Sequence, residues 1–112
     1  MAYKILGQVQ PTTTDNVDLY VVPAGSATII STLHLSNTAA TSSRVTVYVR
    51  KFDGTLAVAA LANNLFSKVL VSPGEPVSLT VGITLAENDT ITVATENSNT
   101  VTFHAFGSEN EV

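Results

Sequence analysis

The stretch Arg44-Val45-Thr46-Val47-Tyr48-Val49-Arg50-Lys51-Phe52-Asp53-Gly54 decides the fold class. Val45, Val47 and Val49 fall on one side of an extended chain, and Arg44, Thr46, Tyr48 and Arg50 on the other. That period of two is the pattern of an antiparallel strand with one face buried and one wet. Asp53-Gly54 follows at once, and such a pair supplies the two positive-φ positions of a type I′ turn. The chain is therefore expected to reverse there.

The same grammar extends in both directions. Tyr3 to Val9, Asp18 to Val22 and Ala27 to Ser36 read as strands, broken by Gln10-Pro11, a polar loop around Thr12–Asn16, and Pro23-Ala24-Gly25. In the third of these, Ile29, Ser31, Leu33 and Leu35 are expected on one face, with Ile30, Thr32 and His34 on the other. Leu65 to Val71, Val77 to Val81, Thr90 to Thr95 and Thr100 to Phe106 complete the series. Leu56 to Asn64 is alanine-rich but short for an independent helix, and reads as a weak strand or a single turn. The passages Val21–Gly25 and Leu70–Gly74 each end a strand in Pro and Gly. They fit either equivalent corners of two Greek keys or ordinary turn chemistry. The expectation is an all-β fold: a single antiparallel β-sandwich of about eight strands, jelly-roll or immunoglobulin-like. It spans residues 1–112 as one domain, with a short acidic C-terminal tail at 107–112.

Composition agrees. The chain of 112 residues has 15 Val, 5 Ile and 16 Thr, side chains that suit a pleated surface. Only 12% of residues are charged, against about 25% in ordinary soluble domains. No apolar run approaches the roughly 18 residues needed to span a bilayer as a helix, so no membrane partner is expected. The net charge is −4 and the five basic residues are scattered, so no patch for nucleic-acid phosphates forms. The run Arg44, Arg50, Lys51 reads most simply as a solvated strand edge. With no cysteine, disulfides and thiol chemistry are absent, which favours maturation in a reducing cytosol. Met1 to Gly7 has no apolar core after a basic start, so no signal peptide is expected.

Candidate chemistry is sparse. There is no Gly-x-Ser-x-Gly elbow, and the six glycines are isolated, which argues against a serine hydrolase and a phosphate loop. His34 and His104 each sit between apolar neighbours, as ordinary strand histidines do. A shared metal site would need a third ligand, and neither His-x-x-x-His nor Cys spacing occurs. Asp15, Asn16 and Asp18 form one small acidic loop and Glu87, Asn88 and Asp89 another. Either could donate oxygens to calcium, although local turn formation explains both. Asn88-Asp89-Thr90 fits a glycosylation acceptor, and without a signal peptide it reads as chance. No catalytic, cofactor or metal residues are assigned, and no enzymatic activity is expected. An interaction surface is expected at Tyr48, Arg44, Arg50 and Tyr20. The tyrosines could serve as a sugar platform, with Tyr48 the better placed, or as subunit contacts.

The final third carries a resemblance. Pro73-Gly74-Glu75 leads into Val77-Ser78-Leu79, then Gly82-Ile83-Thr84-Leu85-Ala86-Glu87-Asn88-Asp89-Thr90-Ile91-Thr92-Val93, and the chain closes on Val101-Thr102-Phe103-His104-Ala105-Phe106-Gly107. Together with Val22-Pro23-Ala24-Gly25 and Leu35-Ser36-Asn37-Thr38, this resembles small β-sandwich structural proteins in the virions of tailed bacteriophages. Related sequences carry Gly where Asn88 stands, and Asn is the usual left-handed substitute. The resemblance implies a virion structural protein, foremost a capsid decoration or cement protein, assembled in the host cytoplasm. Its partners would be the major capsid protein or tail proteins and copies of itself, as a trimer or another symmetric homo-oligomer. A receptor- or glycan-binding tail module is the alternative. The low charge points the same way, because strand surfaces dense in Thr and Val are a liability unless an assembly covers them.

Overall fold

The computed structural model describes residues 2–56 and 64–111. Eight strands form among them: β1 (Ala2–Val9), β2 (Val17–Val21), β3 (Ser26–Asn37), β4 (Ser43–Arg50), β5 (Asn64–Val71), β6 (Val77–Leu85), β7 (Thr90–Thr95) and β8 (Val101–Glu111). They pair antiparallel into two four-stranded sheets, a first ordered β1-β8-β3-β6 and a second ordered β2-β7-β4-β5. Only β4 and β5 are consecutive strands that also pair; every other connection crosses between sheets. This order is jelly-roll-like. It departs from the immunoglobulin order, in which the consecutive strands A and B pair in one sheet.

The two Pro–Gly passages do occupy equivalent corners. Each carries the chain from the second sheet to the first, β2 to β3 and β5 to β6. The Ser26 N–H donates to the Pro23 carbonyl and the Glu75 N–H to the Ser72 carbonyl, both at 3.2 Å. Gly25 and Gly74 hold the third position of each turn at φ 80° and 75°, the positive value a type II turn requires. Asn88 takes the same left-handed conformation, at φ 66°.

The core lies between the sheets. Val45 and Val47 from β4 meet Ile91 and Val93 from β7, and Ile30, Leu33, Leu35, Leu85, Val101 and Phe103 face them from the first sheet. Each side chain so buried contributes roughly 1.5–3 kcal/mol relative to exposure. At one end Asn37 closes the sandwich. Its amide donates to the carbonyls of Thr41 at 2.8 Å and Val71 at 2.9 Å, and its oxygen accepts from the Ala39 N–H at 2.8 Å.

Three expectations need correction. Ile29 does not share a face with Leu33 and Leu35: it is 43% exposed while Ile30 is fully buried. The register of β3 on β8 steps from Ile30↔Gly107 to Thr32↔Phe106, leaving Ser31 as an extra residue. Such a bulge flips the alternation from that point onward. Residues 107–111 are not a tail but the end of β8, paired with both β1 and β3. The reversal after β4 is present, with Phe52 bridging Leu56 and Gly54 at φ 77°. Asp53 is not at positive φ, so the turn is a three-residue loop and not type I′. Most of the ambiguous segment Leu56 to Asn64 lies outside the described residues, but Asn64 opens β5.

Candidate interaction surface

Three of the four expected surface residues lie together on the outer face of the second sheet, because β4 alternates as its sequence dictates. Arg50 reaches across β7. Its Nη1 lies 3.3 Å from Thr92 Oγ1 and 3.6 Å from Asp18 Oδ1 on β2, and the Thr92 hydroxyl donates to the same Asp18 oxygen at 3.0 Å. This charged brace covers Thr92 completely. Tyr48 stands beside it, opposite Thr92 in register. Arg44 lies at the other end, its Nη1 donating to the Lys68 carbonyl at 3.1 Å. Lys68 sits in an edge-strand bulge at φ 55°, a left-handed conformation that re-aims its side chain. A groove of about 490 Å³ runs here, lined by Arg44, Thr46, Lys68, Ala94, Thr95 and Glu96.

Tyr20 is not part of this surface. A bulge at Leu19 turns it inward, and it is 8% exposed. Its hydroxyl donates to Glu109 Oε2 at 2.5 Å and lies 2.8 Å from Thr28 Oγ1, itself buried. Burial first, and then the bond to Glu109, pushes the phenol up to about 12. The Tyr20 hydroxyl, followed by Lys4, holds the Glu109 carboxyl below its ordinary value.

The carboxylates of the second acidic loop, Glu87 and Asp89, are engaged locally. Asp89 accepts the Phe52 and Ala86 N–H groups at 2.8 and 2.9 Å, and Glu87 accepts the Gly25 N–H at 2.7 Å. These bonds staple the β6–β7 turn to the β2–β3 corner, the structural role that Asp and Asn serve in turns. Among the described residues, no three His, Cys, Asp or Glu side chains converge on a metal position.

The outer face of the first sheet has a different character, one that reading along the chain misses. The charged residues of its four strands are Lys4, Glu109 and Glu111. They pair with Gly107, Thr28 and Ser26, whose positions face the core side. The outward face includes Ile5, Gln8, Ile29, Thr32, His34, Ser36, Ser78, Thr80, Thr84, Thr102, His104 and Phe106. Among the described residues this face carries no Asp, Glu, Lys or Arg. Across its middle runs a single row, Gln8, His104, His34, Ser78, one residue from each strand. His34 and His104 are 70 positions apart, so nothing in the linear sequence could pair them.

No protein-family model matches the chain, and no curated protein does. Solved structures do. A chain in the acidic stable capsid of Helicobacter pylori bacteriophage KHP30 aligns at 14% identity with a TM-score of 0.57, over 100% of this chain and 94% of that one. A chain of infectious bursal disease virus, Gt strain, aligns at 12% identity with a TM-score of 0.48; 96% of this chain corresponds to 32% of that one. The present chain thus spans about a third of the bursal disease virus chain and nearly the whole of the phage chain. At these identities what is shared is the fold, a β-sandwich that the chain of the phage capsid structure also adopts.

Proposed function

We propose that the chain is a structural protein of a phage virion that decorates the capsid, cementing neighbouring subunits by adhesion and not by catalysis. The observation that carries this reading is the outer face of the first sheet. A four-stranded surface without formal charge can be desolvated without stranding an ion, and interface cores are depleted in Lys, Glu and Asp for that reason. The full-length fold match to a phage capsid chain supports the same reading. The partner would be the major capsid protein. Self-association as a trimer or another symmetric oligomer would multiply weak contacts through effective concentration. The chain would then reside in the virion, after assembly in the host cytoplasm.

The test is co-sedimentation of the purified chain with phage shells assembled without it. Saturable binding that raises the melting temperature of the shell is the expected result; a chain left in the supernatant overturns the reading. Thr80→Lys, which puts one charge on the exposed neutral face, should abolish binding while leaving the fold intact. A tail module that binds glycans would instead give saturable, EDTA-sensitive binding on a glycan array. That reading loses Tyr20 as a platform, and the Glu87 and Asp89 carboxylates already serve backbone N–H groups.

A further inference from the structure

We propose that His34 and His104 together form a binding site for a divalent late transition-metal ion of the Ni²⁺, Cu²⁺ or Zn²⁺ class. The two residues are direct partners in the β3–β8 register. Their rings lie 5.9 Å apart, centroid to centroid. An ion bound about 2.0–2.1 Å from a ring nitrogen stands roughly 3 Å from that ring's centre, so two rings sharing it lie within about 6.5 Å of each other. The observed separation meets that condition.

The orientation of the rings is set by their neighbours. His34 Nδ1 lies 2.6 Å from Ser78 Oγ on β6, and His104 Nδ1 lies 3.0 Å from Gln8 Nε2 on β1. Both Nδ1 atoms are thus held from the flanking strands, on the sides away from the facing ring. The two nitrogens of an imidazole diverge by roughly 145°, so a ring whose Nδ1 is held from the flanking strand can present its Nε2 outward from the sheet and toward the facing ring. Holding one ring nitrogen by hydrogen bond while the other meets the ion is how metal-binding histidines are oriented. Phe106 stacks on His104 at 6.0 Å and 6°, which further fixes that ring.

The proton balance closes without outside groups. When the ion takes Nε2, the ring proton resides on Nδ1. The Ser78 hydroxyl can accept it as readily as donate, and the Gln8 amide accepts it by turning its oxygen inward. Imidazole nitrogens suit Ni²⁺, Cu²⁺ and Zn²⁺. The third ligand that a closed protein site would need is replaced here by water, because in the free chain the remaining coordination positions face solvent. Among the described residues, no cation or carboxylate side chain shares this outward face, so neither repulsion nor competing oxygen donors come from the sheet itself.

Calorimetric titration of the full chain with NiCl₂ and with ZnCl₂ tests the site. One ion per chain is expected, with affinity reduced at least roughly tenfold in His34→Gln and equally in His104→Gln. The double variant should lose little more than either single one, because each single change already breaks the chelate. Circular dichroism checks that the variants fold. Amide signals of residues 34 and 104 should also broaden selectively when Cu²⁺ is added to the unaltered chain. The proposal is overturned if both single variants bind as the parent does, if only one histidine matters, or if broadening centres elsewhere.

Discussion

Tyr20 shows what one side chain can commit. Its ring fills the edge of the core where β2 bulges, and its hydroxyl ties Thr28 to Glu109. Tyr20→Phe removes that hydroxyl and leaves the buried Thr28 hydroxyl without this partner, a loss of about 1–3 kcal/mol. The loss should depend on pH in both directions. Glu109 is held below its ordinary value of 4.5, so its stabilisation is present above that value and is lost as pH falls through the lowered one. Tyr20 is raised from 10.0 to about 12, so its contribution is full below 10 and is lost as pH climbs toward 12. Denaturant unfolding of the two chains should therefore differ most between about pH 5 and 10 and converge on either side. A gap that is constant across the whole range would show that the hydroxyl network does not couple to Glu109.

At the scale of the element, the bulge in β3 and the glycine beneath it act as a unit. Ser31 is the extra residue, its hydroxyl donating to the Phe106 carbonyl at 3.2 Å. Gly107 lies opposite Ile30 at the point where the register slips. A Cβ there would overlap the Ile29 carbonyl oxygen and crowd Ile30 Cα, both of them backbone. Gly107→Ala should cost at least the 1–3 kcal/mol typical of overpacking, because the strand cannot yield as a side chain would. Gly82→Ala, where a Cβ would meet nothing within 4 Å, should change stability by no more than about 0.5 kcal/mol. Thermal melting of the pair checks the contrast. Equal effects would mean that the close approach of β3 and β8 relaxes freely. The Ala-Phe-Gly close at residues 105–107 is legible in the sequence as a motif. Its reason, a bulge on a strand some 75 residues earlier, is not.

For the whole molecule, topology sets the cost of folding. β1 pairs with β8 from Ala2↔Glu109 to Val9↔Phe103, and six of the seven connections cross between sheets. Nearly all stabilising contacts must then wait for distant segments to meet, which puts refolding in the range of milliseconds to seconds. Stopped-flow tyrosine fluorescence can follow this, because the chain has three Tyr and no Trp. Refolding in microseconds would mean that local structure, and not the long-range sheet, limits the rate. The same topology divides the surface into one face braced by Asp18, Arg44, Arg50 and Lys68 and one without formal charge. The low charge of the chain thus becomes a property of one side of the molecule.

The sequence by itself determined whatever depends on neighbours along the chain. Alternation in β4 placed Val45 and Val47 inside and Tyr48 and Arg44 outside. Proline and glycine at residues 23–25 and 73–74 marked two turns, whose equivalence as corners only the strand order shows, and Asn88 took the left-handed turn position. Those signals are local, arising from side-chain sterics and permitted backbone angles, and they survive in any compact state. The tertiary structure alone decided the strand order, the β3 bulge that turned Ile29 outward, the burial of Tyr20 and the meeting of His34 with His104. Each depends on pairing between segments far apart in sequence. That pairing is chosen by the burial of two whole faces at once, which no window of residues encodes.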